Sequence, residues 1–251
     1  MTRNWKSCIV VGALAIAACS GRAPGDATRQ LALYRPSNST FYVQHGKSDQ
    51  PATEIPFGGP GDMPLWADFD GSGKPQPGVF RKGGEWLIST HADGKADLTF
   101  TFGGTPGEIP LAADLDGDGK ADLVLFRGGE WQVRMSRDPA TTQTYHFGRG
   151  GDVPLLADVD GDGKIDLVLF RGGQWMVSTH RDGKVDLSFS FGGLAGERVA
   201  AGDWNGDGHA LPVLFRDGTW LVSAQKDGKV SEQVSFGAKG DVPMAIWQTK
   251  K

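Results

Sequence analysis

Asp114-Leu-Asp116-Gly-Asp118-Gly-Lys120-Ala-Asp122 is an acidic stretch between two apolar runs, and its pattern recurs along the chain. Carboxylates at alternate positions, with glycines that let the backbone curl, can turn several oxygen atoms towards one point. A hard divalent cation that takes about six to eight oxygen ligands suits such a loop, and Ca2+ is the best match. The stretch therefore predicts a calcium site.

The acidic pattern occurs four times. We expect calcium ligands from the side chains at positions one, three, five and nine of each loop, and from the backbone carbonyl at position seven. Two loops are complete and predict strong sites. The other two have Gln76 or Leu211 at position nine and predict weaker or partly hydrated sites. The predicted ligands are Asp114, Asp116, Asp118, Lys120 and Asp122 in one complete loop, Asp158, Asp160, Asp162, Lys164 and Asp166 in the other, and Asp68, Asp70, Ser72, Asp203, Asn205 and Asp207 in the partial loops.

Two other interpretations of these loops are weaker. An EF-hand needs flanking helices and a glutamate at position twelve, where Leu125 and Leu169 stand here. An acidic turn without metal would leave its carboxylates repelling one another. We expect a structural ion that joins the first and second strands of a unit, because no loop has an obvious acid–base pair beside it.

A repeat of about 45 residues runs through the chain after residue 30, seen in its Phe-Gly pairs, its tryptophans and its acidic loops. Each unit reads as four short strands, and no helical spacing follows the N-terminal segment. Residues 31–35 match a second strand, and residues 242–247 supply the missing first strand of that unit. The sequence therefore predicts an all-β, five-bladed β-propeller of four-stranded blades, closed by the C-terminal strand joining the first blade.

At this point the chain resembles a known family. The pattern Asp-x-Asp-Gly-Asp-Gly-Lys-x-Asp, followed by Leu-x-x-Phe-Arg, with Phe-Gly-x-x-Gly-Asp-x-Pro between units, resembles the FG-GAP/VCBS repeats of bacterial surface proteins. The propeller of integrin α chains is similar in kind. The resemblance covers about residues 30–248 and implies a calcium-bearing propeller. It implies no single activity, because this fold hosts many.

The N-terminal segment resembles a lipoprotein signal. Residues 1–18 combine Arg3 and Lys6 with a short apolar run, and residues 16–19 resemble a lipobox. This predicts cleavage before Cys19, lipidation of its thiol, a flexible tether over residues 19–29 and the propeller over 30–251. The chain would then be held at the bacterial envelope, in the outer membrane if the cell has one. An ordinary secretory signal is the alternative.

Charge and loop length bear on function. The chain has 26 basic and 30 acidic residues and no basic stripe, so nucleic acid is excluded as an expected partner. Each unit repeats an arginine and an acid at the ends opposite the calcium loops. These pairs predict structural ion pairs rather than an arginine ring for an anionic glycan. The arginines are Arg35, Arg81, Arg127, Arg171 and Arg216, and the acids are Asp62, Glu108, Asp152, Glu197 and Asp241.

Short glycine-rich turns disfavour an enzyme. His91 and His180 read as solvated turn residues, and the repeated tryptophans (Trp86, Trp131, Trp175, Trp220) as core. Trp66, which has no equivalent in the other units, is expected to be an exposed aromatic. We predict a monomeric, lipid-anchored, calcium-binding propeller that acts as a binding or adhesion module for a protein or glycan ligand at the cell surface. A multivalent lectin is the alternative, and a polysaccharide-acting enzyme is a third.

Overall fold

The computed structural model describes residues 8–9, 29–46 and 51–248. Within these ranges the chain is all β, with 21 strands. The predicted lipid attachment site Cys19 and most of the predicted signal segment lie outside the described residues. In the described part of the chain, no helix has the length and apolar character needed to cross a membrane.

The strands form five sheets in which every neighbouring pair is antiparallel. β1 is Cys8–Ile9. Blade one contains β2 (Arg29–Arg35), β3 (Thr40–His45), β4 (Thr53–Pro56) and the last strand, β21 (Val242–Gln248); blade two contains β5 (Met63–Ala67), β6 (Gln76–Arg81), β7 (Glu85–Ile88) and β8 (Leu98–Thr101); blade three contains β9 (Ile109–Ala113), β10 (Asp122–Arg127), β11 (Glu130–Arg134) and β12 (Thr142–His146); blade four contains β13 (Val153–Ala157), β14 (Asp166–Arg171), β15 (Gln174–Ser178) and β16 (Leu187–Ser190); blade five contains β17 (Arg198–Gly202), β18 (Leu211–Arg216), β19 (Thr219–Val222) and β20 (Glu232–Ser235).

Side-chain burial follows the position of a strand in its blade. In blade three the second strand β10 is buried on both faces up to Phe126, as its continuous apolar run predicts. The third strand β11 alternates, with Trp131 and Val133 buried. The fourth strand β12 is largely exposed. The first strand β9 has small residues, Ala112 and Ala113, where inner strands crowd around the axis.

The ring closes as predicted. β21 pairs with β2 from Arg29 opposite Gln248 to Tyr34 opposite Val242, with a register shift after Ala32. The last strand of the chain thus completes the first blade, which removes the sheet edge that an open ring would expose. β1 pairs with the inner strand β9 and extends that sheet to five strands.

The repeated tryptophans form the core of the blades, as predicted. Each is fully buried, and its Nε1 donates a hydrogen bond to the carbonyl of the Phe-Gly phenylalanine of its own blade, at 2.8–3.0 Å. The expectation for Trp66 is wrong. Its side chain is buried, and its ring lies 5.6 Å from that of Phe41 in blade one. Trp66 therefore packs between the first two blades.

Candidate metal centre

Each acidic loop connects the first and second strands of a blade, and the same residue pairing closes the loop. The residue at position nine lies opposite the residue that precedes position one, as Asp122 lies opposite Ala113 and Gln76 opposite Ala67. Glycines give the turn, since Gly117 has a φ of 82° in the left-handed region that other residues avoid. The strand register therefore brings the two ends of the loop together, and with them positions one and nine.

The two complete loops gather carboxylates. In the loop of blade three, oxygens of Asp114, Asp116 and Asp122 lie within 4.8 Å of one another, and both Asp114 and Asp122 are buried. The loop of blade four gathers its equivalents in the same way. Among the residues that the structure describes, groups of three or more candidate ligands this close occur only in these two loops. The equivalents in blade four are Asp158, Asp160 and Asp166.

Backbone N–H groups orient the buried carboxylates. Asp114 accepts hydrogen bonds from Gly117 N at 2.6 Å and Gly119 N at 3.1 Å. Asp122 accepts from Leu115 N at 2.9 Å and from Ser136 N at 2.7 Å. A carboxylate oxygen has two lone pairs, so each of these oxygens can still face a cation.

The ionised form of the position-nine acid is unfavourable in both complete loops. Burial, with the charges of Asp114 and Asp116, raises the pKa of Asp122 to about 6 even though two backbone N–H groups lower it. Burial and the neighbouring carboxylates of blade four raise the pKa of Asp166 to about 7. A raised pKa means that the ionised form lacks compensating charge. Clustered carboxylate oxygens are the donors that Ca2+ and similar hard cations prefer, so these residues fit such an ion.

The predicted ligand at position five is placed differently. Asp118 lies outside the gathered group, and its Oδ2 accepts a hydrogen bond from Ser136 Oγ at 2.9 Å. Asp162 pairs with Lys164 instead. In blade three Arg137 forms an ion pair with Asp116 at 2.7 Å. The sequence pattern did not identify Ser136 or Arg137, because both follow the third strand and reach the loop only through the antiparallel pairing of β10 and β11.

The partial loops differ from the complete ones at position nine. In blade two Gln76 Oε1 accepts a hydrogen bond from Phe69 N at 2.7 Å, the role that Asp122 Oδ2 has towards Leu115 N. In blade five Leu211 is buried in the core, while Asp203 accepts hydrogen bonds from three backbone N–H groups. Among the described residues, neither partial loop brings three acids together. The other predicted ligands of these loops are Asp68, Asp70, Ser72, Asn205 and Asp207.

Neighbouring loops are joined around the ring. Arg181, at the hairpin of blade four, donates to Ile165 O of its own loop and to Leu115 O of the preceding loop, at 2.6–3.1 Å. Lys226 in blade five donates to Val159 O at 2.8 Å. Both residues have positive φ values, as does the equivalent Ala92 of blade two, so this conformation belongs to the hairpin turn. Their roles were not apparent from the sequence, because they depend on how blades pack.

At the opposite ends of the blades, four of the five predicted ion pairs are present. Arg171 donates to both oxygens of Asp152, at 2.5 and 2.7 Å. Among the described residues Arg127 has no such partner, although Glu108 is buried nearby and accepts from Gly104 N and Thr105 N. The prediction of five pairs is therefore wrong for this one. The four pairs are Arg35–Asp241, Arg81–Asp62, Arg171–Asp152 and Arg216–Glu197.

One comparison with known proteins agrees with the repeat architecture. A family model described as an FG-GAP-like repeat matches residues 114–169 and 158–210. A search of curated proteins gives no match. Among solved structures, a lectin of Agrocybe aegerita that recognises non-reducing terminal N-acetylglucosamine is 18% identical, with a TM-score of 0.49 over 87% of this chain and 71% of that chain. Raptor of Chaetomium thermophilum is 10% identical, with a TM-score of 0.40 over 100% of this chain and 29% of that chain. Likenesses this distant carry no information on ligand or activity.

Proposed function

The chain carries FG-GAP-like repeats folded as a closed five-bladed β-propeller, and from this we propose that it is a calcium-stabilised binding module of the bacterial envelope. The observation that carries the proposal is the group of three acids in each of blades three and four, with ligand atoms within 4.8 Å of one another and two of the three acids buried. Such groups are expensive to keep ionised without a cation, which is the usual reason for a structural metal site.

The metal would be held by Asp114, Asp116 and Asp122 in one loop and by their equivalents Asp158, Asp160 and Asp166 in the other. When bound, Ca2+ would supply the positive charge that these carboxylates lack. Asp114 follows β9 and Asp122 begins β10, so the ion would join the first two strands of the blade. The protein residues orient the oxygens through backbone N–H groups and exclude water from Asp122, which is fully buried.

We propose a non-catalytic role for the module. The turn from β10 to β11 consists of Gly128 and Gly129, and the equivalent turn in blade four is also two glycines, so neither carries a side chain that could react. His91 and His180 are exposed on separate blades, beside hairpin aspartates. A reacting site needs a nucleophile and a base within reach of one another, and these histidines do not supply one.

Envelope anchoring is part of the proposal and depends on the sequence of residues 16–19. Lipid on Cys19 would tether a globular domain that makes no other membrane contact, which needs no spanning segment. Cys19→Ser in the full chain should move the protein from the membrane fraction to the soluble fraction of the expressing cells. Retention of the variant in the membrane fraction would remove the anchor from the proposal.

Calorimetric titration of the chelated protein with Ca2+ tests the metal. We expect two tight sites and a rise in the melting temperature that EDTA reverses. Asp122→Ala with Asp166→Ala should abolish both. Melting that is unchanged by Ca2+ would leave the acidic loops as turns only.

Glycan binding is a second candidate, favoured by a cavity of about 440 Å3 at the boundary of blades three and four. Arg127, Glu130 and His146 line it, so it offers both donors and acceptors to hydroxyl groups. Gly183 belongs to the next blade and approaches so closely that a Cβ there would lie 2.6 Å from His146 O. A glycan panel separates the candidates, because binding that Arg127→Ala removes and Arg171→Ala retains would favour a lectin, whereas no binding favours a protein partner.

A further inference from the structure

In the loop of blade two, the side-chain amide of Gln76 occupies the position where a cation would lie. The two N–H hydrogens of Gln76 Nε2 face three oxygens, Asp70 Oδ1 at 2.7 Å, Lys74 O at 2.7 Å and Ser72 Oγ at 3.0 Å, so that one hydrogen is shared. These oxygens belong to positions three, five and seven, which are the positions expected to supply metal ligands in the complete loops. The amide nitrogen therefore lies among the oxygens that would otherwise surround an ion.

The orientation of the Gln76 amide follows from its partners. Phe69 N–H can only donate, so the atom that it contacts at 2.7 Å must be the amide oxygen. If the amide were flipped, its nitrogen would face Phe69 N–H. Its oxygen would face the oxygens of Asp70, Ser72 and Lys74. Gln76 is only 4% exposed, so water cannot replace these contacts. The nitrogen must therefore point into the loop.

The two acids of this loop accept hydrogen bonds from N–H donors, although burial still raises the pKa of Asp68 to about 6. Asp68 accepts from Gly71 N at 2.7 Å, Ser72 N at 3.0 Å and Gly73 N at 2.6 Å. Asp70 accepts from Ser72 N at 2.9 Å as well as from Gln76. This loop has two carboxylates where each complete loop has four. A cation entering it would have to displace the amide nitrogen from these three oxygens and would meet half the negative charge.

We propose that Gln76 determines the metal content of the ring, because its amide fills the loop of blade two and holds the ends of β5 and β6 together without an ion. This inference rests on the metal binding proposed for blades three and four. It distinguishes the metal-dependent blades three and four from blade two, whose loop is complete in itself. The residue at position nine decides whether the loop binds a metal. Aspartate there gives a metal site, and glutamine gives an internal hydrogen-bond network.

Gain of a site is the first test. Gln76→Asp places a carboxylate at position nine, so calorimetric titration with Ca2+ and the metal-to-protein ratio after dialysis should both rise by one ion per chain over the wild type. Gln76→Ala is the matched control, because it removes the amide without adding charge. It should add no ion and should lower the melting temperature equally with Ca2+ and with EDTA.

The reciprocal change is the second test. Asp122→Gln should remove one ion per chain from blade three, yet it should melt at a higher temperature in EDTA than Asp122→Ala, because the glutamine amide can bond the loop oxygens. Equal melting of these two variants in EDTA would contradict the inference.

The outcomes separate this inference from the proposed function. A wild type with two ions and a Gln76→Asp variant that also has two would overturn the role of Gln76 and leave the metal sites of blades three and four standing. A wild-type chain that already binds at blade two, lost on Asp70→Ala, would also overturn it. Wild-type and Gln76→Asp chains that both bind no ion would remove the inference and the proposed metal together.

Discussion

Buried carboxylates at the two ends of a blade have different electrostatic surroundings. Asp166, at the loop end of β14, is 1% exposed, and burial raises its pKa to about 7. Asp152, at the opposite end of blade four, is 3% exposed, and burial acts on it in the same direction, but hydrogen bonds from Arg171 bring its pKa below the usual value. Burial alone therefore does not decide the state of an acid; a fixed counter-charge does. The arginine end of the blade carries that charge in the chain, and the proposed cation would supply it at the loop end.

The largest expected effect is that of metal removal. A ligand at about 1,000 times its Kd stabilises the native state by about 4 kcal/mol per site, so two filled loops would contribute about 8 kcal/mol. Chelation should therefore lower the melting temperature strongly, whereas it should leave the arginine end of the blades without a direct effect. Denaturant titrations in Ca2+ and in EDTA measure the difference. Equal free energies of unfolding in Ca2+ and in EDTA would show that a metal does not stabilise the loop end of the blades.

Removal of one acid at each end should separate the two mechanisms. Asp152→Ala takes away the acceptor of Arg171 and of Arg149 N, so we expect a loss of about 2 kcal/mol in both Ca2+ and EDTA. Asp122→Ala should cost more than this in Ca2+ and less in EDTA, because the cost of leaving Leu115 N and Ser136 N without an acceptor is then offset by the loss of a carboxylate that is unfavourable when ionised. If both variants respond alike to EDTA, the two ends do not differ as described.

The pH dependence of the metal-free protein should follow the raised pKa values of Asp122 and Asp166, at about 6 and about 7. The native state then binds more protons than the unfolded state between about pH 4 and pH 7. The stabilisation is fully present below the unfolded pKa and is lost as the pH rises through the folded pKa. In EDTA the free energy of unfolding should therefore fall from pH 5 to pH 8, and Ca2+ should remove or reverse this slope. A rise with pH in EDTA would contradict the electrostatic description.

The smallest effects concern the arginines. Arg171→Ala leaves buried Asp152 without its partner and should cost about 1–2 kcal/mol. Arg127→Ala removes an exposed side chain that has no ion pair among the described residues, so we expect a change of about 0.5 kcal/mol or less. Chemical denaturation of the two variants, which change equivalent residues in adjacent blades, sharpens the comparison. An equal loss in both would show that Arg127 pairs with Glu108 in solution.

The fold could be predicted because the sequence repeats with a period of about 45 residues. Strand burial, the tryptophan core and the pairing of β21 with β2 all follow from a repeat whose missing piece stands at the other end of the chain. The error on Trp66 shows the limit of this reasoning. The repeat predicts an exposed side chain for a residue without an equivalent in other units, but Trp66 fills the boundary of blades one and two against Phe41. Periodicity describes what the blades share and not how two of them pack.

The candidate metal site was predictable in its residue types and less so in its contacts. Alternating aspartates identified the loops that gather carboxylates, and position nine separated complete loops from partial ones. The sequence could not show that the Gln76 amide points inward, since this depends on the position of Phe69 N–H. Nor could it show that Arg181 reaches Leu115 O in the preceding blade, because that distance is set by packing between blades.

Arg29 lies directly opposite Gln248 in the antiparallel pair that completes blade one. The ends of the ring-forming chain are therefore neighbours, at about 5 Å between Cα atoms. A short peptide joining them would turn the propeller into a covalent circle, and new ends could then be opened at a turn between any two blades. A circularly permuted chain could therefore form the same five blades in the same order around the ring. Only the position of the chain ends would differ.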